Sequence, residues 1–257
     1  MGYLQIVLFV VLVVGWMSPF PLLAAPHEPS PAGGGWLELS SELSVVQSEG
    51  SWFPVLPGPL TLEAWIYIDA SPPLQNAFSL IGQTNRFNWA ILGGAGDSNF
   101  DGIKDARGGI LTKGIDDDSG IVVGQLVVRR WVHYVAIIDG GTVIGSQGFV
   151  RRTGAGSPLA STNAPLILGG VPILPGNAFP HEQETLPASG VYIDELRISR
   201  VVRYKGQYDV PPKAFTADAD TLGLYHFDEE SSERYEDASE YQIALVRGEK
   251  NAESKSN

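Results

Sequence analysis

The 257-residue sequence predicts an all-β protein built as a two-sheet antiparallel sandwich. Three observations carry that expectation. Short β-type runs recur along the chain, clusters of Gly, Pro, Asn and Asp separate them, and no segment holds a helical period over three turns. The 30 glycines and 18 prolines suit the many tight connections of such a fold and argue against a parallel α/β sheet.

In chain order, the runs place strands at residues 36–39, 43–47, 60–68, 77–82, 88–92, 109–112, 121–128, 131–138, 142–151, 166–168, 191–199, 221–227 and 243–247. Residues 60–68 alternate most cleanly. Leu60, Leu62, Ala64, Ile66 and Ile68 make an apolar face for the inter-sheet core, and Thr61, Glu63, Trp65 and Tyr67 make the other. Two aromatic rings beside a carboxylate have the chemistry of a sugar-stacking surface. They equally suit a face covered by loops or a terminal strand. In 191–199, period 2 puts Tyr192, Asp194, Leu196 and Ile198 on one side and Val191, Ile193, Glu195, Arg197 and Ser199 on the other. Asp194 then shares its face with apolar residues, so it needs hydrogen bonds, an arginine or a metal. Glu195 and Arg197 are expected as a surface pair of small energetic weight.

Around this framework the chain divides into four segments. Residues 1–25 have a signal-peptide plan: an almost wholly apolar run from Leu4 to Val14, then Gly15, Pro19 and Pro21, then Leu22, Leu23, Ala24 and Ala25 at a cleavage site. No Lys or Arg precedes the run, which leaves a retained anchor as the alternative; the run is shorter than the ~20 residues of a spanning helix, which favours cleavage. Residues 26–35 are a Pro/Gly-rich lead-in, 36–247 the β domain, and 248–257 a polar tail expected to be disordered. The roughly 230 residues left after cleavage suffice for one core without disulfide staples, in line with the absence of cysteine. An exported chain of this kind is expected in the bacterial envelope or outside the cell, with no stable membrane span after cleavage. The net charge of -12 excludes nucleic acid as a natural partner and suits cation binding.

Four motifs, in this order, resemble the laminin-G-like, concanavalin A-like jelly-roll domains. They are Leu60-Thr61-Leu62-Glu63-Ala64-Trp65; Trp131-Val132-His133-Tyr134-Val135-Ala136; Asp194-Glu195-Leu196-Arg197-Ile198-Ser199 with Arg203-Tyr204; and Leu224-Tyr225-His226-Phe227-Asp228-Glu229. The resemblance implies a jelly-roll sandwich used for binding. Two departures limit it: the family's Y-x-D-G hairpin end reads Gln147-Gly148-Phe149-Val150-Arg151, and its D-S-S-G-N-G turn reads Asp237-Ala238-Ser239-Glu240-Tyr241.

The sharpest local motif is D-x-N-x-D-G-x-x-D at Asp97, Asn99, Asp101, Gly102 and Asp105, with the Ile103 carbonyl as a further ligand. Oxygen ligands at alternate positions converge on calcium when glycine allows a tight turn. It resembles the calcium loops of thrombospondin type 3 and dockerin repeats, although Gly108 stands where an EF-hand has its bidentate Glu. A Gly/Asp-rich hairpin loop with solvated acids is the alternative. Asp116, Asp117 and Asp118 form a second acidic cluster, read as a solvated turn.

Catalytic signatures are lacking in the sequence. There is no cysteine, H-E-x-x-H, G-x-S-x-G or phosphate-loop motif, and Asp194 and Glu195 are adjacent, unlike the i, i+2 carboxylates of concanavalin-like glucanases. His27, His133, His181 and His226 show no metal-ligand spacing, and His133 and His226 read as packing residues. The expectation is therefore a non-catalytic, calcium-supported module that binds a glycan or a cell-surface protein, with oligomeric state open. Trp52, Trp65, Tyr67 and Trp89 are the candidate ligand platforms, and Trp52, in a Ser-Trp-Phe-Pro loop, is the best placed for exposure. A glycoside hydrolase or lyase using Glu63 with a loop acid is one alternative; a structural domain that pairs through a sheet edge is another.

Overall fold

Alternating apolar side chains decide how the chain is layered. The computed structural model describes residues 26, 28–39, 45–56, 58–69, 78–96, 105–113, 118–147, 150–170, 190–206, 213–231 and 233–248. The apolar residues 1–25, the acidic residues 97–104, Asp116 and Asp117, and the tail from 249 lie outside the described residues. The strands are β1 (Leu37–Leu39), β2 (Val46–Ser48), β3 (Leu60–Ile68), β4 (Phe78–Gln83), β5 (Phe87–Gly96), β6 (Asp105–Lys113), β7 (Asp118–Gln125) and β8 (Val132–Asp139). They continue with β9 (Thr142–Gln147), β10 (Val150–Ala155), β11 (Leu166–Leu168), β12 (Val191–Ser199), β13 (Thr221–Tyr225), β14 (Arg234–Tyr235) and β15 (Leu245–Arg247). A seven-stranded sheet runs β1-β12-β3-β8-β9-β10, with β13 also paired to β12, and an eight-stranded sheet runs β14-β15-β2-β11-β4-β5-β6-β7. Every pairing between them is antiparallel. This is the all-β, two-sheet jelly-roll sandwich that the sequence predicts.

The inter-sheet core takes the expected face of β3. Leu60, Leu62, Ala64, Ile66 and Ile68 pack with Ile81, Trp89, Leu166, Leu168 and Leu245 of the opposite sheet. Full burial of one such Leu or Ile stabilises the fold by about 1.5–3 kcal/mol, so a one-residue slip of β3, which would drive Glu63 into this layer, is strongly disfavoured. All nine residues of β3 are buried, because its other face is covered as well. Trp65, Tyr67, Trp131, Tyr192, Phe215 and Leu224 form a second apolar cluster, packed against Ala32, Trp36 and Ala217. The segment 28–36 is part of that cover. The Trp131 indole N–H donates to the Glu28 carbonyl at 3.0 Å, and Trp36 meets Trp131 and Tyr192 at ring-centroid distances of 6.3 and 6.4 Å. Only glycine fits where this segment crosses the end of β13: a Cβ on Gly34 would lie 1.8 Å from Asp228 Oδ1, and one on Gly35 2.5 Å from the Phe227 carbonyl oxygen.

Three expectations are corrected. The single run 142–151 is a hairpin, β9 and β10, with Gln147 paired to Val150. A short strand, β14, appears where no alternation announced it, and it adds an edge beside β15. The third correction concerns β12, where Asp194 pairs with Trp65 but Arg197 with Glu63, so that β12 carries one extra residue. Glu195 occupies the bulge at φ 55°, a left-handed conformation unusual for a non-glycine residue. Alternation reverses there, and Val191, Ile193, Leu196 and Ile198 all enter the core. Leu196 and Ile198 therefore do not share a side with Tyr192, and Arg197 lies opposite Glu63 on the covered face.

One buried cation fastens the loops at the far end of the core. Arg86 follows the β4 strand end and is fully buried. Its guanidinium donates to the carbonyls of Ala160 at 2.6 Å and Phe53 at 2.6 Å, to that of Pro54, and to Gln83 Oε1 at 2.7 Å. Burial lowers its pKa to about 10. Arg86→Met strips these buried acceptors of their donor and should destabilise the protein by about 3 kcal/mol or more. Urea unfolding should show a lower midpoint at unchanged slope, with Arg86→Lys failing to restore it, because an ammonium lacks the planar fork. A midpoint equal to that of the parent protein would refute the staple.

Candidate functional site

The proposed platforms are not at the surface. Trp52, Tyr67 and Trp89 are buried at 0%, 0% and 2% exposure, and Trp65 at 7%. Trp52 and Trp89 belong to the inter-sheet core and Trp65 and Tyr67 to the covered outer face, so none of the four offers a ring to a ligand. Trp52 is drawn inward because Gln83 Nε2 donates to its carbonyl and Arg86 holds those of Phe53 and Pro54. Of the calcium residues, Asp97, Asn99, Asp101 and Ile103 lie outside the described residues, and Asp105 opens β6 with its backbone paired to Gly96. Among the described residues, no three His, Asp or Glu side chains are grouped to hold a metal.

The outer face of the seven-stranded sheet carries the charged chemistry instead. Glu63 is fully buried, and Arg197 Nε and Nη2 each lie 2.8 Å from its Oε1. On the other oxygen, the Tyr204 hydroxyl donates at 2.5 Å and His133 Nε2 lies 3.3 Å away. Burial pushes the Glu63 pKa up, but the His133 hydrogen bond, the Arg197 charge and the Tyr204 hydroxyl together outweigh it, and the net shift is downward. Arg203 lies 3.8 Å from Glu63 and clamps Asp218 in a two-pronged pair at 2.9 and 2.7 Å. Arg197 also sits over the Phe215 ring, 4.7 Å from its centroid. Glu63 is therefore lidded, which removes it as the acid of a hydrolase or lyase.

Glu195 and Arg197 are likewise not a surface pair. The bulge turns Glu195 inward, where Oε2 accepts the Phe215 N–H at 2.7 Å and Oε1 lies 2.8 Å from His226 Nδ1. Asp194 is fully buried beside the 28–36 segment. The Ser30 hydroxyl and the Glu195 amide are its polar neighbours, but no hydrogen bond of ordinary geometry reaches either carboxylate oxygen. Its pKa rises from 3.8 to about 7, first through burial and further through the charges of Glu195 and Asp228.

What the outer face does leave open is a pocket of about 560 Å³ beside the Glu63 cluster. Its roof is the loop after β12, contributing Arg200, Val201, Val202, Tyr204 and Lys205; its walls are Pro59, Asp139 at the end of β8, Ile144 of β9 and Arg151 of β10. Side chains of the sheet hold the roof in place. Thr61 Oγ1 donates to the Val201 carbonyl at 2.6 Å and accepts the Arg203 N–H at 3.3 Å, and Arg151 donates to the carbonyls of Tyr204 at 3.2 Å and Gly206 at 3.3 Å. Among the described residues that line the pocket, the half-buried Tyr204 is the one aromatic residue, and its hydroxyl is fixed by Glu63. In the sequence Arg203-Tyr204 stands out only as part of a motif, since neither its neighbours on β10 nor its bond to β3 is visible locally.

No family model matches the chain, and no curated protein matches it in sequence. Solved structures do match. One is a protein from Bacteroides ovatus whose name assigns it to carbohydrate binding, at 15% identity and a TM-score of 0.50, covering 79% of this chain and 58% of that one. This chain thus spans little more than half the length of that protein. Others are the SAP-like pentraxin of Limulus polyphemus, at 15% identity, a TM-score of 0.42 and coverages of 68% and 72%, and an alginate lyase from Alteromonas sp. 272, at 11%, 0.38, 72% and 92%. At these identities the likeness is one of fold, a two-sheet jelly-roll sandwich.

Two outcomes follow from the buried carboxylates. Glu63→Gln leaves Arg197 and Arg203 without their buried counter-charge and should cost about 3–5 kcal/mol in chemical unfolding; a loss below ~1 kcal/mol, the range of an exposed pair, would contradict the burial. Asp194 binds its proton more tightly when folded, so its contribution to stability is present below pH 4 and is lost as pH rises through about 7. Asp194→Asn should match the parent protein near pH 4 and exceed it by up to about 4 kcal/mol at pH 8. A difference independent of pH would show that Asp194 titrates normally.

Proposed function

We propose that this protein is an exported, non-catalytic carbohydrate-binding module of the laminin-G-like kind, with the pocket beneath loop 200–205 as its ligand site. The observation that carries the reading is the Tyr204 ring, half-buried in a pocket of small-molecule size and held by Glu63 from below. An aromatic face set among hydrogen-bonding groups and backed by a rigid sheet is a recurring arrangement for sugar recognition. The name given to the Bacteroides ovatus protein agrees with this class of ligand. Location outside the cell or in the bacterial envelope belongs to the same proposal and rests on the almost wholly apolar, charge-free residues 4–14 and the small residues Ala24 and Ala25. So does calcium, on the spacing of Asp97, Asn99, Asp101, Ile103 and Asp105.

The test is glycan-array binding with calcium and again with chelator. Binding to a sugar class is expected, and chelator should weaken it. Tyr204→Ala should lower affinity by about tenfold or more, whereas Tyr204→Phe, which keeps the ring, should retain most of it. Absence of glycan binding by folded protein would favour a structural or protein-interacting domain, and equal binding by Tyr204→Ala would move the site elsewhere.

A further inference from the structure

The charge of the pocket runs against that of the chain. The protein carries a net charge of -12, yet among the nine described residues lining this pocket three are cations, Arg151, Arg200 and Lys205, against a single carboxylate, Asp139. The three cations differ in how far they are committed elsewhere. Arg200 is shared with Asp220, 3.3 Å from Nε, and with the Ala219 carbonyl, 2.6 Å from Nη2. Arg151 spends two N–H groups on the carbonyls of Tyr204 and Gly206, which satisfy its geometry without neutralising its charge, and no carboxylate among the described residues lies within ion-pair distance of it. Lys205 is exposed and has no ion-pair or hydrogen-bond partner among the described residues. Against the single carboxylate of Asp139, Arg151 and Lys205 leave the described lining with one positive charge in excess, beside the Tyr204 ring and the apolar Val201, Val202 and Ile144.

We infer that the pocket takes an acidic saccharide, a sugar residue bearing a carboxylate or a sulfate group. The inference rests on the carbohydrate-binding reading and specifies its ligand. An anion paired with Arg151 and Lys205 completes the local charge balance, and guanidinium N–H groups left free by the backbone carbonyls bind oxyanions in a defined geometry. The ring of the sugar finds Tyr204 and the two valines. Asp139 accepts hydrogen bonds from hydroxyl groups and repels a ligand charged along its whole length, which selects a polyhydroxylated ligand with one localised charge over a polyphosphate.

The experiment titrates the full chain with an aldobiouronic acid, which carries one uronate beside one neutral sugar, with its methyl ester, and with neocarratetraose monosulfate against neutral neoagarotetraose, beside an array of neutral glycans. Binding of an acidic probe at least about tenfold tighter than its neutral counterpart is expected. That preference should shrink as salt is raised from about 0.05 to 0.5 M, because the interaction is partly screened. Lys205→Glu should abolish the preference with an unchanged melting temperature, since Lys205 is exposed and has no hydrogen bond or ion pair among the described residues. The two acidic probes decide between carboxylate and sulfate. Equal or better binding of the neutral members, or an acidic preference untouched by Lys205→Glu, overturns the inference while leaving carbohydrate binding in place. Absence of binding to every probe and to the array overturns both.

Discussion

One residue at positive φ, Glu195, decides what the sheet presents on each side. β12 shares a single edge between two neighbours, with β1 pairing to Val191, Tyr192 and Ile193 and β13 to the stretch from Leu196 to Ser199. The extra residue falls at the junction, where β12 changes partner on one side while staying paired to β3 on the other. Strict alternation would turn Arg197 into the inter-sheet core and leave Leu196 against Glu63. With the bulge, two aliphatic side chains gain the core and a guanidinium gains a buried carboxylate. A strained backbone costs of order 1–3 kcal/mol, and the side chain of the strained residue helps to offset it, because the Glu195 carboxylate holds Phe215 and His226 over the same face.

Glu63 ties that packing to the pocket. A lone carboxylate with no exposure would be untenable, and the ring of donors from Arg197, Tyr204 and His133 is what makes it tolerable. Such a cluster contributes less to stability than hydrocarbon of the same volume could, but it demands one geometry. Arg203 reaches Asp218 and Ser199, Thr61 bonds both ways with loop 200–206, and Arg151 reaches over from β10, so the loop cannot shift without breaking several bonds together. A surface loop, ordinarily mobile, becomes a fixed wall of the pocket.

The legible and illegible parts of this structure divide along a physical line. The faces of β3 could be read because a period of two and a buried layer make the same demand on each residue. Asp194 could be read as needing a partner, since burial penalises its charge whatever surrounds it, but the crossing of the 28–36 segment over it could not. The Ser-Trp-Phe-Pro surroundings of Trp52 point to exposure, but its burial depends on Arg86 and Gln83, remote in sequence. Nothing local marks the bulge at Glu195, where no glycine signals a left-handed residue. The pocket draws on five separate stretches of chain, around Pro59, Asp139, Ile144, Arg151 and 200–205, none of which carries a motif for it.

The opposition between an acidic chain and a cationic pocket is workable because the two charges act over different distances. Exposed charges are screened beyond about 10 Å at 0.1 M salt. The excess of carboxylates therefore governs solubility and repels anionic polymers at a distance, while a ligand seated in the pocket senses chiefly Arg151, Arg200, Lys205 and Asp139. Long-range repulsion slows the approach of a highly charged polyanion far more than that of a sparsely charged saccharide. In the binding proposed above, selectivity for charge density would thus come from the whole surface, and recognition of the single anionic group from the pocket alone.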